Sequence, residues 1–431
     1  MRLMSIKGSA ILVAVALLLV TSMILAACAQ PLTTEVRESE RQRVTSPDVN
    51  EADLTTLVDG NSAFAFALYQ ALREADGNLF YSPYSISLAL AMTYAGARGE
   101  TAQQMADTLR FILAPDRLHP AFNSLDLELG RRGQGAQGRD GEGFRMNIVN
   151  AIWGQEDYQF LSAFLDLLAE NYGAGLRVLD FIGAPEESRI TINEWVNNQT
   201  EGRIEDLIPQ GVIDALTRLV LTNAIYFNAA WQHPFQEAMT EDGPFYLLDG
   251  SEVTVPMMRQ TEWFGYTEGE GYQAVELLYD GGELSMVILL PNNFEAFEEA
   301  LDAQAVDEII ERMERRRVAL AMPRFEFESS FSLKEALKMM GMPLAFSAND
   351  ADFSGITGTR DLFIADVVHK AFVSVDEAGT EAAAATAVVV GIVAMPPEPV
   401  EVTVDRPFVF LIRDIETGTI LFVGRVANPG A

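Results

Sequence analysis

The sequence predicts an α+β fold in a single large domain, because helical patterns dominate its first half and strand patterns its second half. The chain has 431 residues, of which 49% are hydrophobic, so it can bury a sizeable core. It shows no internal repeat, and no linker rich in proline, glycine or serine divides residues 56–429. We therefore assign residues 56–431 to one folded domain.

The helix candidates come first along the chain. Phe64, Leu68 and Leu72 recur at a four-residue spacing, which places them on one face of a helix. Ser82 and Pro83 precede a segment rich in alanine and leucine, and this pair is typical of a helix N-terminus. The predicted helices cover residues 53–73, 84–96, 101–113 and 193–200.

The strand candidates dominate the rest of the chain as short apolar or alternating runs. Thr417 and Gly418 separate the last two runs, which predicts a terminal hairpin. The predicted strands cover residues 218–227, 274–278, 284–291, 318–327, 363–375, 408–413 and 420–426.

The charge and the composition exclude several classes of function. The formal net charge is −32, from 30 Lys and Arg against 62 Asp and Glu, so we expect no nucleic-acid binding. The single cysteine excludes an intramolecular disulfide and any site built from several cysteines. With only three histidines, we expect no metal site and no cofactor.

The N-terminus has the pattern of an export signal. Arg2 and Lys7 precede an apolar run over residues 11–25, and Leu-Ala-Ala-Cys follows at residues 25–28. This motif resembles a bacterial lipobox, which predicts a signal peptide over residues 1–27 and acylation of Cys28. The alternative is an ordinary cut near Ala27 that leaves a free thiol.

The predicted location follows from this signal. We expect an extracytoplasmic protein that is lipid-anchored to a bacterial cell membrane at Cys28, or a secreted one if the lipobox is not used. Residues 29 to about 55 mix Thr, Ser, Gln, Pro and charge without periodicity, so the segment 28–55 is predicted to be a flexible tether.

The chain lacks the signatures of common enzymes. Residues 133–138 spell G-x-G-x-x-G, but arginines surround the motif and no strand precedes it, so we interpret it as a surface loop. His119 and His233 each precede a proline and are predicted to lie in loops. His369 lies in the strand-like segment 363–375, where a buried, hydrogen-bonded histidine is the simplest interpretation. The sequence therefore predicts that the protein is not an enzyme.

The segment 375–395 is the unusual part of the sequence. After Glu381, roughly fourteen residues carry no charge, which is too few to span a membrane. With a period of two, positions 380, 382, 384, 386, 388 and 390 share one face of small or β-branched side chains. This pattern suits a strand that can enter a sheet with one face buried. An ordinary buried strand and an alanine-rich helix remain alternatives.

At this point the sequence resembles a known family. Residues 377–387, Glu-Ala-Gly-Thr-Glu-Ala-Ala-Ala-Ala-Thr-Ala, closely resemble the hinge of the reactive centre loop of serpins. Further matches follow in the family's order, so the resemblance spans about residues 56–429. They lie at residues 78–87, 96–101, 193–196, 200–204, 221–227, 231–235, 406–413 and 422–426.

The resemblance implies a fold and a mechanism. The fold would contain three β-sheets, eight or nine helices and an exposed reactive centre loop. A serine protease would attack the loop and form an acyl-enzyme, after which the loop would insert into sheet A and trap the protease. Ordering a loop costs about 1 kcal/mol or more per residue, so alanines, which lose little side-chain entropy, suit it. The alternative within the family is a non-inhibitory member that acts as a binding module or as a protease substrate.

The resemblance also implies where the loop is cut. The family's usual spacing from the hinge places the reactive bond between Val393 and Ala394, with Ile392 and Met395 as rivals. A small branched side chain suits elastase-like or subtilisin-like serine proteases. We expect a covalent complex with the target protease and a monomeric inhibitor. Residues 101–130 carry no basic stripe, so heparin activation is not expected.

Three groups of residues carry over to matching positions. The hinge would consist of Glu377, Gly379, Thr380, Glu381, Ala382, Ala383, Ala384 and Ala385. The shutter, where side-chain hydrogen bonds rearrange as strands part, would consist of Ser82, Ser85, Asn223 and His369. The breach, where the loop first enters, would contain Trp231 and Arg324, with Arg324 paired to Glu377.

Overall fold

A computed structural model describes residues 35–134, 136, 144–380 and 397–430. The described residues from Val36 onward belong to one compact unit. Several predicted site residues lie outside the described ones. They are Cys28, Glu381, Ala382, Ala383, Ala384, Ala385, Ile392, Val393, Ala394 and Met395.

Ten α-helices lie within the part of the chain that the structure describes. The side chain of Asn50 caps the first helix by accepting the Asp53 amide, and Ser82 caps the second by accepting the Ser85 amide. The helices are α1 (Glu51–Leu72), α2 (Pro83–Tyr94), α3 (Gly99–Leu109), α4 (Pro115–Leu129), α5 (Ser162–Tyr172), α6 (Pro185–Gln199), α7 (Phe294–Glu299), α8 (Ala303–Glu311), α9 (Lys334–Met340) and α10 (Ser354–Thr357).

Sheet A contains the strands that surround the predicted hinge. It has seven strands, and its two central long strands are parallel to each other. In spatial order the strands are β1 (Glu35–Arg37), β4 (Leu176–Leu179), β3 (Arg145–Gln155), β5 (Leu219–Ala230), β13 (Gly379–Thr380), β12 (Ile364–Val375) and β11 (Phe325–Ser332).

A second hydrogen-bonded network has nine strands. Its spatial order is β14 (Val400–Thr403), β10 (Glu314–Pro323), β7 (Glu252–Gly269), β8 (Tyr272–Leu278), β9 (Leu284–Pro291), β15 (Phe408–Asp414), β16 (Ile420–Val426) and β2 (Leu79–Tyr81), and β6 (Glu241–Tyr246) pairs with β7. The α+β fold is confirmed. The expected second and third sheets form one network because β7, at 18 residues, pairs with β6 and β10 and then continues alongside β8.

Sheet A separates two hydrophobic clusters. On one face Leu221 and Ile225 of β5 join the main core, which extends to α2 and the second network. On the other face Val220 and Ala224 pack with Val196 of α6 in a smaller cluster. The alternation along β5 therefore buries both faces of the strand, and α6 covers the outer one.

The predicted strand 318–327 needs correction, because the structure divides it. β10 ends at Pro323 and β11 begins at Phe325, and the two strands belong to different sheets. Proline cannot donate to a strand ladder, and the amide of Arg324 bonds instead to the carbonyl of Pro256 at 2.9 Å. The apolar run continues across this break, so alternation alone did not reveal it. The terminal hairpin of β15 and β16 is confirmed.

The prediction of a loop around His119 is wrong. His119 is buried in α4, and Pro120 lies inside the same helix. Leu118, Phe122 and Leu125 are buried at helical spacing, so their burial outweighs the one hydrogen bond that the proline removes.

The second half of the predicted flexible tether is also ordered. Arg43 donates to Asn123 of α4 at 2.8 Å and pairs with Asp126 at 2.6 Å. The Val44 amide donates to the carbonyl of Glu170, and the Val44 carbonyl accepts from the side-chain amide of Asn123. Polar composition suggested a tether, but these side chains find acidic and amide partners on two helices.

Neither a membrane span nor a metal cluster is found within the described ranges. None of the helices there combines the length and the apolar character needed to cross a bilayer. The same residues contain no group of three or more His, Cys, Asp or Glu side chains that could hold a metal ion.

Candidate functional site

The predicted hinge enters sheet A as the short strand β13. The chain turns after β12, where the amide of Asp376 bonds to the carbonyl of Gly379 at 3.0 Å, and β13 then runs antiparallel to both neighbours. Thr380 lies opposite Val375 of β12 on one side and opposite Ala229 of β5 on the other. The first two residues of the strand therefore already separate β5 and β12.

Sheet A is closed immediately below this point. Residues 219–225 of β5 pair directly with residues 364–371 of β12, in parallel. The last direct pair is Ile225 with Ala371, and the strands diverge over the next four positions to admit Thr380. The two strands form a fork whose arms hold the hinge and whose stem has no space for a further strand.

Gly379 is required at this fork by its close approach to β5. A Cβ atom at this position would lie 2.2 Å from the carbonyl oxygen of Ala229 and 2.7 Å from the Cα atom of Ala230. Both contacts are to backbone, so a side chain could not be accommodated without parting the strands.

Thr380 is held by a buried tyrosine on the main-core face of sheet A. Its hydroxyl lies 2.8 Å from the Tyr279 hydroxyl, and both residues are almost fully buried. Burial raises the pKa of Tyr279 well above its ordinary value, so the phenol stays protonated and can donate. The contact orients the Thr380 side chain toward the main core.

Trp231, predicted to lie at the breach, fixes the turn that precedes β13. Its ring stacks on Tyr279 with centroids 4.7 Å apart, and its Nε1 donates to the carbonyl of Asp376 at 3.0 Å. Its backbone amide donates to the carbonyl of Ala378 at 2.7 Å. Trp231 therefore holds the backbone of this turn through both its main chain and its side chain.

Glu377 is buried and has two partners. The Thr240 hydroxyl donates to Oε1 at 2.6 Å, and the Arg324 Nε lies 3.6 Å from Oε2. Arg324 is half exposed, with 50% of its side chain accessible, whereas 5% of the Glu377 side chain is accessible. The predicted pair exists, but the shorter contact is the one to Thr240.

The four predicted shutter residues lie together below the fork. Asn223 Nδ2 donates to Ser85 Oγ at 2.6 Å, and Nδ1 of His369 bonds to Asn223 Oδ1. The amide of Ser82 donates to His369 Nε2 at 3.3 Å. This cluster joins β5, β12 and α2 at the level where the two strands are directly paired.

The shutter histidine is neutral in this arrangement. Its Nε2 accepts the Ser82 amide proton, so Nδ1 carries the ring proton and donates to Asn223. Burial lowers the pKa of His369 to about 3, which keeps the ring uncharged at neutral pH. The Asn223–His369 hydrogen bond spans β5 and β12 and would have to break before a strand could pass between them.

Three residues of the site were not identified from the sequence. Asn150 of β3 accepts from Ser85 and Asn223, at 3.2 and 2.5 Å, and completes the shutter network. Tyr279 directly follows a predicted strand, and Thr240 precedes β6. An isolated asparagine, tyrosine or threonine has no spacing that indicates its partners, so only the fold brings these residues to the hinge and the shutter.

The described part of the site can offer main-chain groups of β5 and β12 to a new strand, and it can exchange the side-chain hydrogen bonds of the shutter. A strand that continued β13 downward would find the unpaired inner edges of β5 and β12 once these separated. His369 is bonded at both ring nitrogens, to the Ser82 amide and to Asn223 Oδ1, so neither nitrogen is free to take a proton from a serine hydroxyl in this cluster.

Comparison with known proteins bears on the whole folded region. A family model described as "Serpin (serine protease inhibitor)" matches residues 59–429. Leukocyte elastase inhibitor A of Rattus norvegicus is 41% identical over 388 residues, covering 86% of this chain and 99% of the relative. An uncharacterised serpin-like protein of Thermococcus kodakarensis is 42% identical over 385 residues, covering 88% of each chain.

Solved structures agree with these sequence matches. The native-state crystal structure of the thermophilic serpin tengpin superimposes with a TM-score of 0.82 and 27% identity, covering 92% of this chain and 100% of that one. Uncleaved ovalbumin gives a TM-score of 0.76 and 27% identity, covering 87% and 100%. The fork in sheet A and the extent of these matches lead to one conclusion: the chain belongs to the serpin family.

Proposed function

We propose that the protein is an inhibitory serpin, a suicide-substrate inhibitor of elastase-like or subtilisin-like serine proteases, and not an enzyme. The observation that carries the proposal is the fork in sheet A. The hinge occupies its arms at Gly379 and Thr380, while the stem below remains closed from Ile225 and Ala371 downward. A sheet in this state can extend β13 into a full central strand once β5 and β12 separate.

The proposed mechanism begins with cleavage of the loop. The hydroxyl of the protease serine attacks the carbonyl of the reactive bond, an ester forms, and the amine of the next residue leaves. The freed segment then continues β13 between β5 and β12. Each new backbone hydrogen bond contributes about 1 kcal/mol net, and insertion carries the esterified protease along with the strand.

The register of β13 predicts which loop residue passes the shutter. Thr380 lies between Ala229 and Val375, and each further residue moves one position down both strands. Six residues later, Thr386 would lie between Asn223 and His369. Its hydroxyl could replace the hydrogen bond that these two residues lose when the strands separate.

The proposed reactive bond lies between Val393 and Ala394, with Ile392 and Met395 as the rival positions. Two observations support an elastase-like target. Similar proteins carry the name leukocyte elastase inhibitor. In addition, elastase-like pockets accept small aliphatic side chains such as that of Val393. Incubation with pancreatic elastase, followed by mass spectrometry of the released C-terminal peptide, will identify the bond. A peptide that begins at Ala394 is expected, and one that begins elsewhere would reassign it.

Trapping is tested with a hinge variant. Wild-type protein should form an SDS-stable complex with elastase or subtilisin. Thr380→Arg should be cleaved without a complex, because the buried position beside Tyr279 cannot take a guanidinium. Thr380→Ser, which keeps the hydroxyl, is the matched control and should still trap.

The same experiment separates the alternative function. A non-inhibitory serpin that acts as a binding module or a substrate would be cut cleanly, and its melting temperature would not rise after cleavage. Clean turnover of the wild type by every protease in the panel, without this rise, would contradict the inhibitory proposal.

We also propose that the protein is anchored to a bacterial cell membrane through acylated Cys28, as the lipobox-like motif indicates. Metabolic labelling with a radioactive fatty acid in a bacterial host tests this. Wild-type chain should be labelled and sediment with membranes, whereas Cys28→Ala should be unlabelled. An unlabelled wild-type chain in the medium would favour the secreted form.

A further inference from the structure

One buried side chain beside the fork lacks a hydrogen-bond partner at one of its polar atoms. Asn228 lies near the end of β5 and is 3% exposed. Its Nδ2 donates to the Tyr226 hydroxyl at 3.2 Å, but within the described part of the chain its Oδ1 has no partner. Buried polar atoms of a folded protein are nearly always bonded, so an unbonded one calls for an explanation. Asn228 belongs neither to the hinge contacts nor to the shutter network.

Asn228 lies in a row of residues that crosses sheet A one position below Thr380. We call the gap that β13 enters between β5 and β12 the slot. The position below Thr380 in the slot is flanked by Asn228 on β5 and by Ser374 on β12. Farther out, Arg145 of β3 is opposite Asn228, and Glu326 of β11 is opposite Ser374. A strand that continued β13 would therefore place its next residue in the middle of this row.

The row lies on the outer face of sheet A. Ala224 packs in the smaller cluster under α6, and an even number of positions along β5 separates it from Asn228, so both residues have the same side. Thr380 faces the opposite side, toward Tyr279. The residue after Thr380 is Glu381, which lies outside the described residues. Because successive residues of a strand alternate, Glu381 would face the outer side when the strand lengthens.

The two sides of the slot differ in what they offer to a carboxylate. On the β12 side, the Ser374 hydroxyl donates to Glu326 at 2.9 Å, so this side presents an occupied donor and a like charge. On the β5 side, the Arg145 guanidinium adds a positive charge beside Asn228, with its Nη1 3.8 Å from Glu201. Coulomb forces would therefore turn a carboxylate in the slot toward β5.

The Asn228 side chain can supply a donor and keep its bond to Tyr226. The Tyr226 hydroxyl can donate as well as accept a hydrogen bond. A half-turn of the amide group would let this hydroxyl donate to Oδ1 and would bring Nδ2 to the place where Oδ1 now lies. The atom without a partner would then be a donor, which is what a carboxylate requires.

We infer that Asn228, with Arg145 beside it, binds the Glu381 carboxylate when the loop enters sheet A. The inference rests on the proposed function, because it takes the insertion of the loop as given. Glu381 directly follows Thr380, so it is the first residue that must move into the slot. A hydrogen bond to a carboxylate is about twice as strong as one between neutral groups. Asn228 would thus be a positioning residue, which fixes the register of the new strand before it reaches the shutter.

The test exchanges the two side chains in protein whose loop has been cut. Glu381→Gln removes the charge, and Asn228→Asp places two carboxylates together, so each single change disrupts the pair. The swap variant Asn228→Asp/Glu381→Gln again has one carboxylate and one amide. Ser374→Ala, on the other side of the slot, is the matched control. Thermolysin is a zinc protease that works without an acyl-enzyme, so it can cut the loop without being trapped, and mass spectrometry identifies molecules cut beyond residue 390.

The readout is the equilibrium constant for unfolding in guanidinium chloride, before and after the cut. After the cut, the unfolding constant of the swap variant should be about tenfold smaller than the product of the two single effects predicts. Before the cut, the two changes should combine to within about twofold of that product, because the side chains are not yet in contact. Ser374→Ala should show no such coupling to Glu381→Gln in either form. If Asn228→Asp folds poorly, Asn228→Ala takes its place, and Glu381→Gln should then have no further effect after the cut.

The outcomes separate this inference from the proposed function. If the cut stabilises the wild type but the swap variant shows no coupling, the inference is overturned and the insertion of the loop stands. If the coupling appears but the wild type forms no stable complex with elastase, the inference stands and the inhibitory proposal fails. If the cut does not stabilise the wild type, the loop does not enter sheet A and both are contradicted.

Discussion

The breach and the shutter lie on the same two strands, about six residues apart, yet they are in opposite states. At the breach, β13 already separates β5 and β12 and is held by backbone hydrogen bonds and the stacked pair Trp231–Tyr279. At the shutter the strands are paired directly, and the Asn223–His369 hydrogen bond joins them. In the proposed insertion, the resistance would therefore lie in the shutter network, because the two strands are already apart at the breach.

The chemistry of the two regions explains this difference. The breach uses main-chain groups and aromatic faces, and these contacts persist as a strand lengthens from Thr380. The shutter uses amide and imidazole side chains whose partners lie across the gap, so each bond must be exchanged before a strand can pass. Changes at the shutter should thus alter native-state lifetime most, and changes at the breach should have smaller effects.

The largest effect is expected for Asn223→Ala. The substitution leaves His369 Nδ1 without a buried partner, and such an unsatisfied group costs about 1–3 kcal/mol. It also removes one hydrogen bond each from Ser85 and Asn150, which keep the bond between them. We expect a loss of about 3 kcal/mol in native-state stability, measured by urea unfolding, and faster loss of inhibitory activity at 37 °C.

Asn228→Ala is the matched control on the same strand. Asn228 is also buried, but within the described part of the chain its Oδ1 has no hydrogen-bond partner and its side-chain amide donates only to the Tyr226 hydroxyl, at 3.2 Å. This variant should be destabilised by about 1 kcal/mol. Equal losses in unfolding free energy for both variants would show that the shutter hydrogen bonds stabilise the native state no more than another buried asparagine does.

The next largest effect is a dependence of stability on pH, which originates at the shutter residue His369. Burial lowers the pKa of His369 to about 3, against 6.5 in the unfolded chain. Between these values the unfolded state binds more protons, so stability rises with pH and is lost as the pH falls below about 6.5. Between pH 7 and pH 5, the titration of His369 should lower the free energy of unfolding by about 2 kcal/mol.

His119 complicates the measurement, because burial lowers its pKa to about 4 and it contributes over the same range. His369→Gln should therefore reduce the pH dependence of the unfolding midpoint by about half, whatever its effect at pH 7. An unchanged pH profile in this variant would mean that His369 is not the group that titrates.

The same two regions show how far the sequence can be interpreted. The hinge and shutter positions came from a contiguous motif and from matched segments, and the structure brings all four shutter residues together. Asn150, Tyr279 and Thr240 were missed because each contacts the site only through tertiary packing. Sequence pattern also failed at Pro323, where a continuous apolar run crosses between sheets, and at His119, where burial keeps a helix intact around a proline.

At the breach, Trp231→Phe should have a moderate effect. Phenylalanine keeps a ring to stack on Tyr279 but cannot donate to the carbonyl of Asp376. The loss of this one hydrogen bond should cost about 1 kcal/mol and slightly raise the stoichiometry of inhibition. Trp231→Ala, which also removes the stack, is the comparison and should cost several-fold more. If the two variants were equal, the indole N–H would be the dominant contact and the aromatic stack would contribute little.

The smallest effect is expected for Arg324→Ala. Arg324 is half exposed and its Nε lies 3.6 Å from Glu377, so solvent screens the pair and the change should cost less than about 1 kcal/mol. Glu377→Ala should cost more, because it also leaves the Thr240 hydroxyl without its partner at 2.6 Å. Thermal melts of the two variants, compared at low and high salt, test this order. A larger loss in Arg324→Ala than in Glu377→Ala would mean that the ion pair, and not the threonine, fixes the turn into β13.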